Sequence, residues 1–190
     1  MDSARLDGII AFLQGAERLK DTLRSGATSG GRRESAAEHS WRLALLALLL
    51  DRDLGAVDRL KVLKLCLVHD LGEAISGDIP AVDQSPDDGR AARERADMAT
   101  LCAPLPADLS ADLLALWDEY AAAATPEAKL AKGLDKIETV LQHVIGANDP
   151  GFDYAFNLGY GQDRTAALPL LRQIRARADA ATRARMEEPD

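Results

Sequence analysis

At 190 residues the chain is long enough for a single domain that buries roughly 70% of its unfolded surface. The 47% apolar content supports a core, while only 4% aromatic residues and a Leu/Ala bias favour helices over sheets. A formal charge of -8 and a pI near 4.9 exclude a broad basic groove for nucleic acid, although one Arg or Lys can still hold the phosphate of a mononucleotide.

Residues 4–22 read as an amphipathic helix, with Leu6, Ile9, Ile10, Leu13 and Ala16 at helical spacing. The opening stretch lacks the apolar run of a signal peptide, and Leu43 to Leu50 is too short to span a bilayer. A soluble, cytoplasmic protein with no membrane contact is expected. Ser25 to Gly31 reads as a flexible break. Ser35, with Glu38 three residues on, predicts a capping box that opens a helix to about Asp51, with His39, Leu43, Leu46 and Leu50 on one face.

The next helix, about 57–71, carries Val62, Leu65, Cys66 and His69 along one stripe, with Asp70 beside them. Cys66 and Cys102 are the only cysteines and read as buried free thiols in a reducing compartment. Gly72, Gly77 and Pro80 mark a turn region, and Asp83 to Gly89 a polar surface loop. Helices follow at about 88–101 and 109–124. Thr125-Pro126-Glu127 then combines a capping residue, Pro at the first helical position and an acid in the first turn, and opens a helix to about Ile145. After a break at 146–163, a last helix covers about 164–186. No strand is persuasive, so the reading is all-α. Apolar positions left over on 4–22 and 164–186 suggest a homodimer.

Four side chains carry the chemistry. A lone histidine early in a helix, such as His39, is more often structural. His69 is different, because it ends an apolar stripe where Leu would pack at less cost. Asp70 sits near a helix C-terminus, where the macrodipole prefers cations, and an unpaired carboxylate half-buried there is expensive. A metal ion answers both points. Asp135 lies on or beside the buried face marked by Ala131, Leu134 and Ile137, while Lys132 and Lys136 read as solvated.

Two imidazoles and two carboxylates leave about two positions of an octahedral ion for water and a substrate oxygen. The mixed donor set suits one divalent ion: Mn, Fe, Co, Ni or Zn, with Mg as a further candidate. Glu73, about one turn past Asp70, can orient or deprotonate the water, or else is a solvated acid at a helix end. Asp78 can reach substrate. His143 reads as structural or surface.

His39, the His69-Asp70 doublet and Asp135 resemble the ordered pattern of the HD-domain metal-dependent phosphohydrolases. The wider text is closer still. Glu38-His39-Ser40, then His69-Asp70-Leu71-Gly72-Glu73-Ala74 with Gly77-Asp78-Ile79-Pro80, then Leu134-Asp135-Lys136-Ile137-Glu138, resemble the 5′-deoxynucleotidase branch over roughly residues 5–145. The resemblance implies a compact helical HD-domain bundle, typically a homodimer. It implies His39, His69, Asp70 and Asp135 as metal ligands and Glu73 as the group that activates water. Asp78 would contact the sugar or phosphate end of a nucleoside 5′-monophosphate, and Arg24 would bind phosphate, a task that suits a guanidinium.

The chain departs from the branch in one place. An aromatic residue expected shortly after the arginine is replaced by Ser25, Gly26, Ala27 and Thr28. Base and sugar preference are therefore open, and Trp41 reads as packing on a neighbouring helix or subunit rather than filling the gap. Two other readings remain: a dinuclear HD-type oxygenase, for which no extra histidine lies between His69 and Asp135, and a non-catalytic nucleotide-binding HD protein.

Overall fold

A computed structural model describes residues 2–85, 89–166 and 168–187. Helix α1 (Ser3–Ala16) starts on an Asp2 cap whose carboxylate accepts from the Arg5 amide, and a short 3-10 turn, Glu17–Lys20, follows. Strands β1 (Leu23–Ala27) and β2 (Arg33–Ser35) then form an antiparallel hairpin, with Leu23 opposite Ser35, Ala27 opposite Arg33 and an irregularity between them. The expected flexible break is therefore ordered. Long-range bonds supply what local alternation does not: Gln142 Nε2 donates to the Ala27 carbonyl, the Ala27 amide donates to Asn148 Oδ1, and the Ala147 amide donates to the Thr28 carbonyl.

Helix α2 (Ala36–Leu49) begins with the predicted capping box of Ser35 and Glu38. Helix α3 (Arg59–Val68) is capped by Asp58. It stops before the His69-Asp70 doublet, which continues as a tight turn into α4 (Glu73–Ser76), held by the Leu71 amide on the Val68 carbonyl and the Glu73 amide on Asp70. Gly72 lets this turn lie against α5 (Arg90–Cys102), because a Cβ there would sit 2.8 Å from the Glu94 carbonyl oxygen.

Before α5, Ala81–Asp83 forms a 3-10 turn. Of the surface loop read over Asp83 to Gly89, residues 86–88 lie outside the described residues, as does the start of the helix read from 88. Helix α6 (Ala107–Ala122) leads to α7 (Pro126–Ile145), which starts where Thr125-Pro126-Glu127 predicts. The break read at 146–163 instead contains α8 (Tyr154–Gly159) and the start of α9 (Gln162–Thr165); both helices are too short to show a period. Helix α10 (Pro169–Glu187) closes the chain.

Helix α7 is the axle of the bundle. Leu130, Leu134 and Ile137 are buried against Leu43 of α2, Val62 and Leu65 of α3 and Leu171 of α10. Each such side chain contributes about 2 kcal/mol of apolar burial. A second cluster sets Phe12, Met98, Leu101 and Trp117 around Val68 and Ala36. The C-terminal end of α3 and the start of α2 are thus clamped between two cores, with His39 and His69 at the seam. Among the described residues, no helix is long and apolar enough to cross a membrane.

Candidate metal centre and substrate cavity

The four predicted ligands come from two helices, α2 and α7, and the turn after α3, which brings His39, His69 and Asp70 together with Asp135 beside His39. Donor atoms of His39, His69 and Asp70 all lie within 4.8 Å of one another. Nε2 of His69 is 3.1 Å from Asp70 Oδ2, and Nε2 of His39 is 3.2 Å from Asp135 Oδ1. His39, His69 and Asp135 are buried.

The hydrogen bonds fix which imidazole nitrogen faces the centre. Nδ1 of His69 lies 2.9 Å from the Cys66 carbonyl, which can only accept, so Nδ1 carries the hydrogen. Nδ1 of His39 is bonded to the Glu138 carboxylate. In both rings Nε2 is therefore the nitrogen turned to the centre, and both Nε2 atoms are buried without a hydrogen-bond partner. Asp135 is held from one side: Tyr120 donates to Oδ2 at 2.6 Å, and Lys136 Nζ lies 3.0 Å from the same oxygen, while Oδ1 faces His39. Two unpartnered imidazole nitrogens with the Asp70 and Asp135 carboxylates beside them fit a divalent cation, and His39, His69 and Asp135 each have a partner behind them to orient them.

A second cluster, Glu34, His39 and Glu138, shares the other edge of His39. It serves as a hydrogen-bonded support, because His39 Nδ1 is committed to Glu138, whose other oxygen meets Arg42 at 3.1 Å. Burial, with the nearby Glu138, pushes the Glu34 carboxyl up to about 7.

The crowding of buried charged groups shifts their pKa values in opposite directions. Burial and Arg24 press the His39 imidazole down, but the carboxylates of Asp135 and Glu138 outweigh them and hold it up to about 9. Burial would raise Asp70, yet His69, His39 and Arg24 bring it to about 2. Burial and then Asp70 and Asp78 push Glu73 up to about 10, and its Oε2 is buried without a partner. Burial also raises Asp78.

Beside these groups opens a cavity of about 620 Å³, lined among others by Arg24, Glu73, Asp78, His69, Asp70 and Asp135. Arg24 on β1 is mostly buried rather than solvated: its guanidinium reaches Asp70 Oδ2 at 3.5 Å, Glu34 Oε2 at 3.6 Å and Thr139 Oγ1 at 3.1 Å. The hairpin is what carries it there.

Several expectations need correction. Lys136 is not solvated but bridges Asp135 and the Tyr160 hydroxyl. Lys132 donates to the Tyr120 and Ala121 carbonyls and lies over the Tyr120 ring, and burial with Lys136 nearby lowers it to about 8. His143 is structural, bonded to Asn157, yet its ring also lines the cavity. Trp41 is 63% exposed within the chain, which leaves the subunit half of its reading. Tyr120 and Glu138, which support Asp135 and His39, carry no role in the sequence reading. Glu138 lies one turn after Asp135 on α7, a spacing that could have flagged it.

The fold and the site together define a helical protein with a buried His/Asp cluster that fits a divalent cation and a cavity beside it. The chain belongs to the HD domain family, whose profile matches residues 16–171. It is similar to the 5′-deoxynucleotidase HDDC2 of Mus musculus, 36% identical over 137 residues that cover 71% of this chain and 68% of that protein. It also resembles the 5′-deoxynucleotidase hdd1 of Schizosaccharomyces pombe, 33% identical over 148 residues covering 75% and 74%.

Among solved structures, a predicted metal-dependent phosphohydrolase from Magnetospirillum magnetotacticum superposes with a TM-score of 0.80 at 31% identity, covering 97% of this chain and 96% of that one. A cyanophage S-2L HD phosphohydrolase, bound to dA and one catalytic Zn2+, shares the fold with a TM-score of 0.59 at 20% identity, covering 92% and 96%.

Proposed function

We propose that this protein is a one-metal phosphomonoesterase that removes phosphate from a nucleoside 5′-monophosphate, deoxynucleotides included. The carrying observation is the pair of buried, unpartnered Nε2 atoms of His39 and His69 facing Asp70 and Asp135 at the edge of a cavity that also holds Arg24 and Glu73. The 5′-deoxynucleotidase relatives support the substrate class.

His39, His69, Asp70 and Asp135 would hold the ion. When bound, a divalent cation neutralises phosphate charge and makes a coordinated water more acidic. Arg24 supplies parallel N–H donors to non-bridging phosphate oxygens. Glu73, with a bare buried oxygen, would take the proton from the attacking water once a bound cation beside it has drawn its carboxyl down from the raised value of the metal-free site. The new P–O bond forms as the bond to the nucleoside oxygen breaks, and the alkoxide takes up a proton from solvent. Asp78, on the cavity wall, accepts from a sugar hydroxyl.

The N/O donor set is compatible with Co, Mn, Zn, Fe, Ni or Mg. The dinuclear alternative is not favoured, because His39 Nδ1 is already committed and His143 is bonded to Asn157. The working form would be a cytoplasmic homodimer built on the exposed Trp41, Leu48 and Leu49 of α2 rather than on α10.

The test is phosphate release from a panel of ribo- and deoxynucleoside monophosphates with and without added metal. Metal-dependent release is expected from the wild type. Glu73→Gln should keep the metal and lose about 10²–10⁴-fold in turnover. Release that persists at full rate in chelator would contradict the proposal.

A further inference from the structure

We propose that residues 152–160 form the wall that recognises the nucleoside, with Phe156 and Tyr160 as a shelf on which the base stacks. The proposal rests on the phosphomonoesterase reading above and adds where the organic part of the substrate is held. The chain has only eight aromatic residues, two Trp, three Tyr and three Phe, yet five line this one cavity: Trp117, Tyr120, Phe152, Phe156 and Tyr160. Three of the five come from one nine-residue stretch. A cavity of about 620 Å³ far exceeds the needs of a phosphate alone and falls in the range that encloses a drug-sized organic ligand.

Phe156 and Tyr160 are four residues apart at α8, so they share one face, with ring centroids 5.3 Å apart and planes inclined by 32°. This tilted, contacting pair gives the cavity aromatic surface on which a base can stack whatever its sequence identity, since every base has a π-face. The shelf is built rigidly. Arg175 on α10 is buried, is held by Asp179, and donates to the carbonyls of Asn157 and Tyr160, while Asn157 Oδ1 bonds His143 Nδ1 at 2.8 Å.

The shelf is also tied to the metal centre, because the Tyr160 hydroxyl and Asp135 Oδ2 share Lys136 as neighbour at 2.9 and 3.0 Å. Beneath the hairpin, the ring of His143 packs on Phe152 at 4.9 Å and occupies the space beside Gly26, where a Cβ would meet His143 Cδ2 at 2.8 Å. The wall that β1 lacks after Arg24 is thus supplied from α7 and the segment that follows it.

The test reads binding apart from turnover. Saturation-transfer NMR on the metal-free protein compares 2′-deoxyadenosine, which has a base but no phosphate, with 2-deoxyribose, which has neither. The wild type should bind the nucleoside and not the sugar, Phe156→Ala should weaken nucleoside binding by roughly tenfold, and Phe156→Tyr should restore it. In turnover, Phe156→Ala should lower the preference for a nucleotide over deoxyribose 5-phosphate by a similar factor, through KM more than kcat. Equal binding by wild type and Phe156→Ala, or equal loss in Phe156→Ala and Phe156→Tyr, would overturn the proposal. Nucleoside binding with the expected variant pattern but no phosphate release would sustain the shelf and sink the hydrolase reading instead.

Discussion

Tyr120 donates its phenolic hydrogen to Oδ2 of Asp135 at 2.6 Å, and the other oxygen of that carboxylate lies 3.2 Å from His39 Nε2. Burial and the Asp135 charge keep the phenol well above its usual pKa, so it stays a donor. The bond fixes which Asp135 oxygen faces the centre. Tyr120→Phe should keep the ring contact with His69, at 4.9 Å between centroids, and so keep the fold. Metal affinity should drop about 10–100-fold, as read by competition with a chromogenic chelator. An unchanged affinity would mean that Asp135 needs no such support.

Glu138 plays the matching part behind His39. Its carboxylate accepts from Nδ1, which turns Nε2 toward the centre without a hydrogen-bond partner. Glu138→Gln retains the shape but removes the charge, and the loss in metal affinity should again be about 10–100-fold, with helicity by circular dichroism unchanged. A variant that binds metal as the wild type does would contradict the role.

Stability of the metal-free protein should fall as pH rises. His39 is held up to about 9, Glu34 up to about 7 and Glu73 up to about 10 in the folded chain. Each group thus keeps a proton that the unfolded chain would release earlier. The stability this gives is complete below the unfolded pKa and is lost as pH climbs through the folded one. Asp70 and Asp135, shifted downward, have already contributed fully above about pH 5. Chelator-treated protein should therefore show a Tm that declines between about pH 5.5 and about pH 9, and added metal should restore most at the alkaline end. A Tm that rises across this window would reverse the sign and contradict the account.

Gly26 should not tolerate a side chain. The Cβ of Gly26→Ala would lie 2.8 Å from the His143 ring, which Asn157 and Phe152 hold in place. Overpacking of this kind costs about 1–3 kcal/mol. Chemical denaturation should show that loss, and full stability would mean that His143 can swing aside.

Much of this was legible in the sequence, for reasons that differ by element. Ser35 with Glu38 and Thr125-Pro126-Glu127 are local signals whose physics lies within a few residues, and both open the helices they predict. His69 and Asp70 stood out because an apolar stripe ended in groups that are costly to bury alone. The hairpin around Arg24 was not legible, because its partners, Gln142 and Asn148, lie more than a hundred residues away. The same holds for Lys136, which looks solvated by periodicity but finds Asp135 and Tyr160. The stretch 146–163 reads as a break in the sequence. Yet α8 owes its place to the buried Arg175 of α10, and local pattern cannot show such a dependence.

The most direct test of the central claim is a metal count by mass spectrometry on purified wild type and Asp70→Asn, each reloaded with Co2+ or Mn2+ and freed of excess. The account predicts one ion per chain in the wild type and essentially none in Asp70→Asn at unchanged helicity. Equal metal in both proteins, or two ions per wild-type chain, would contradict it.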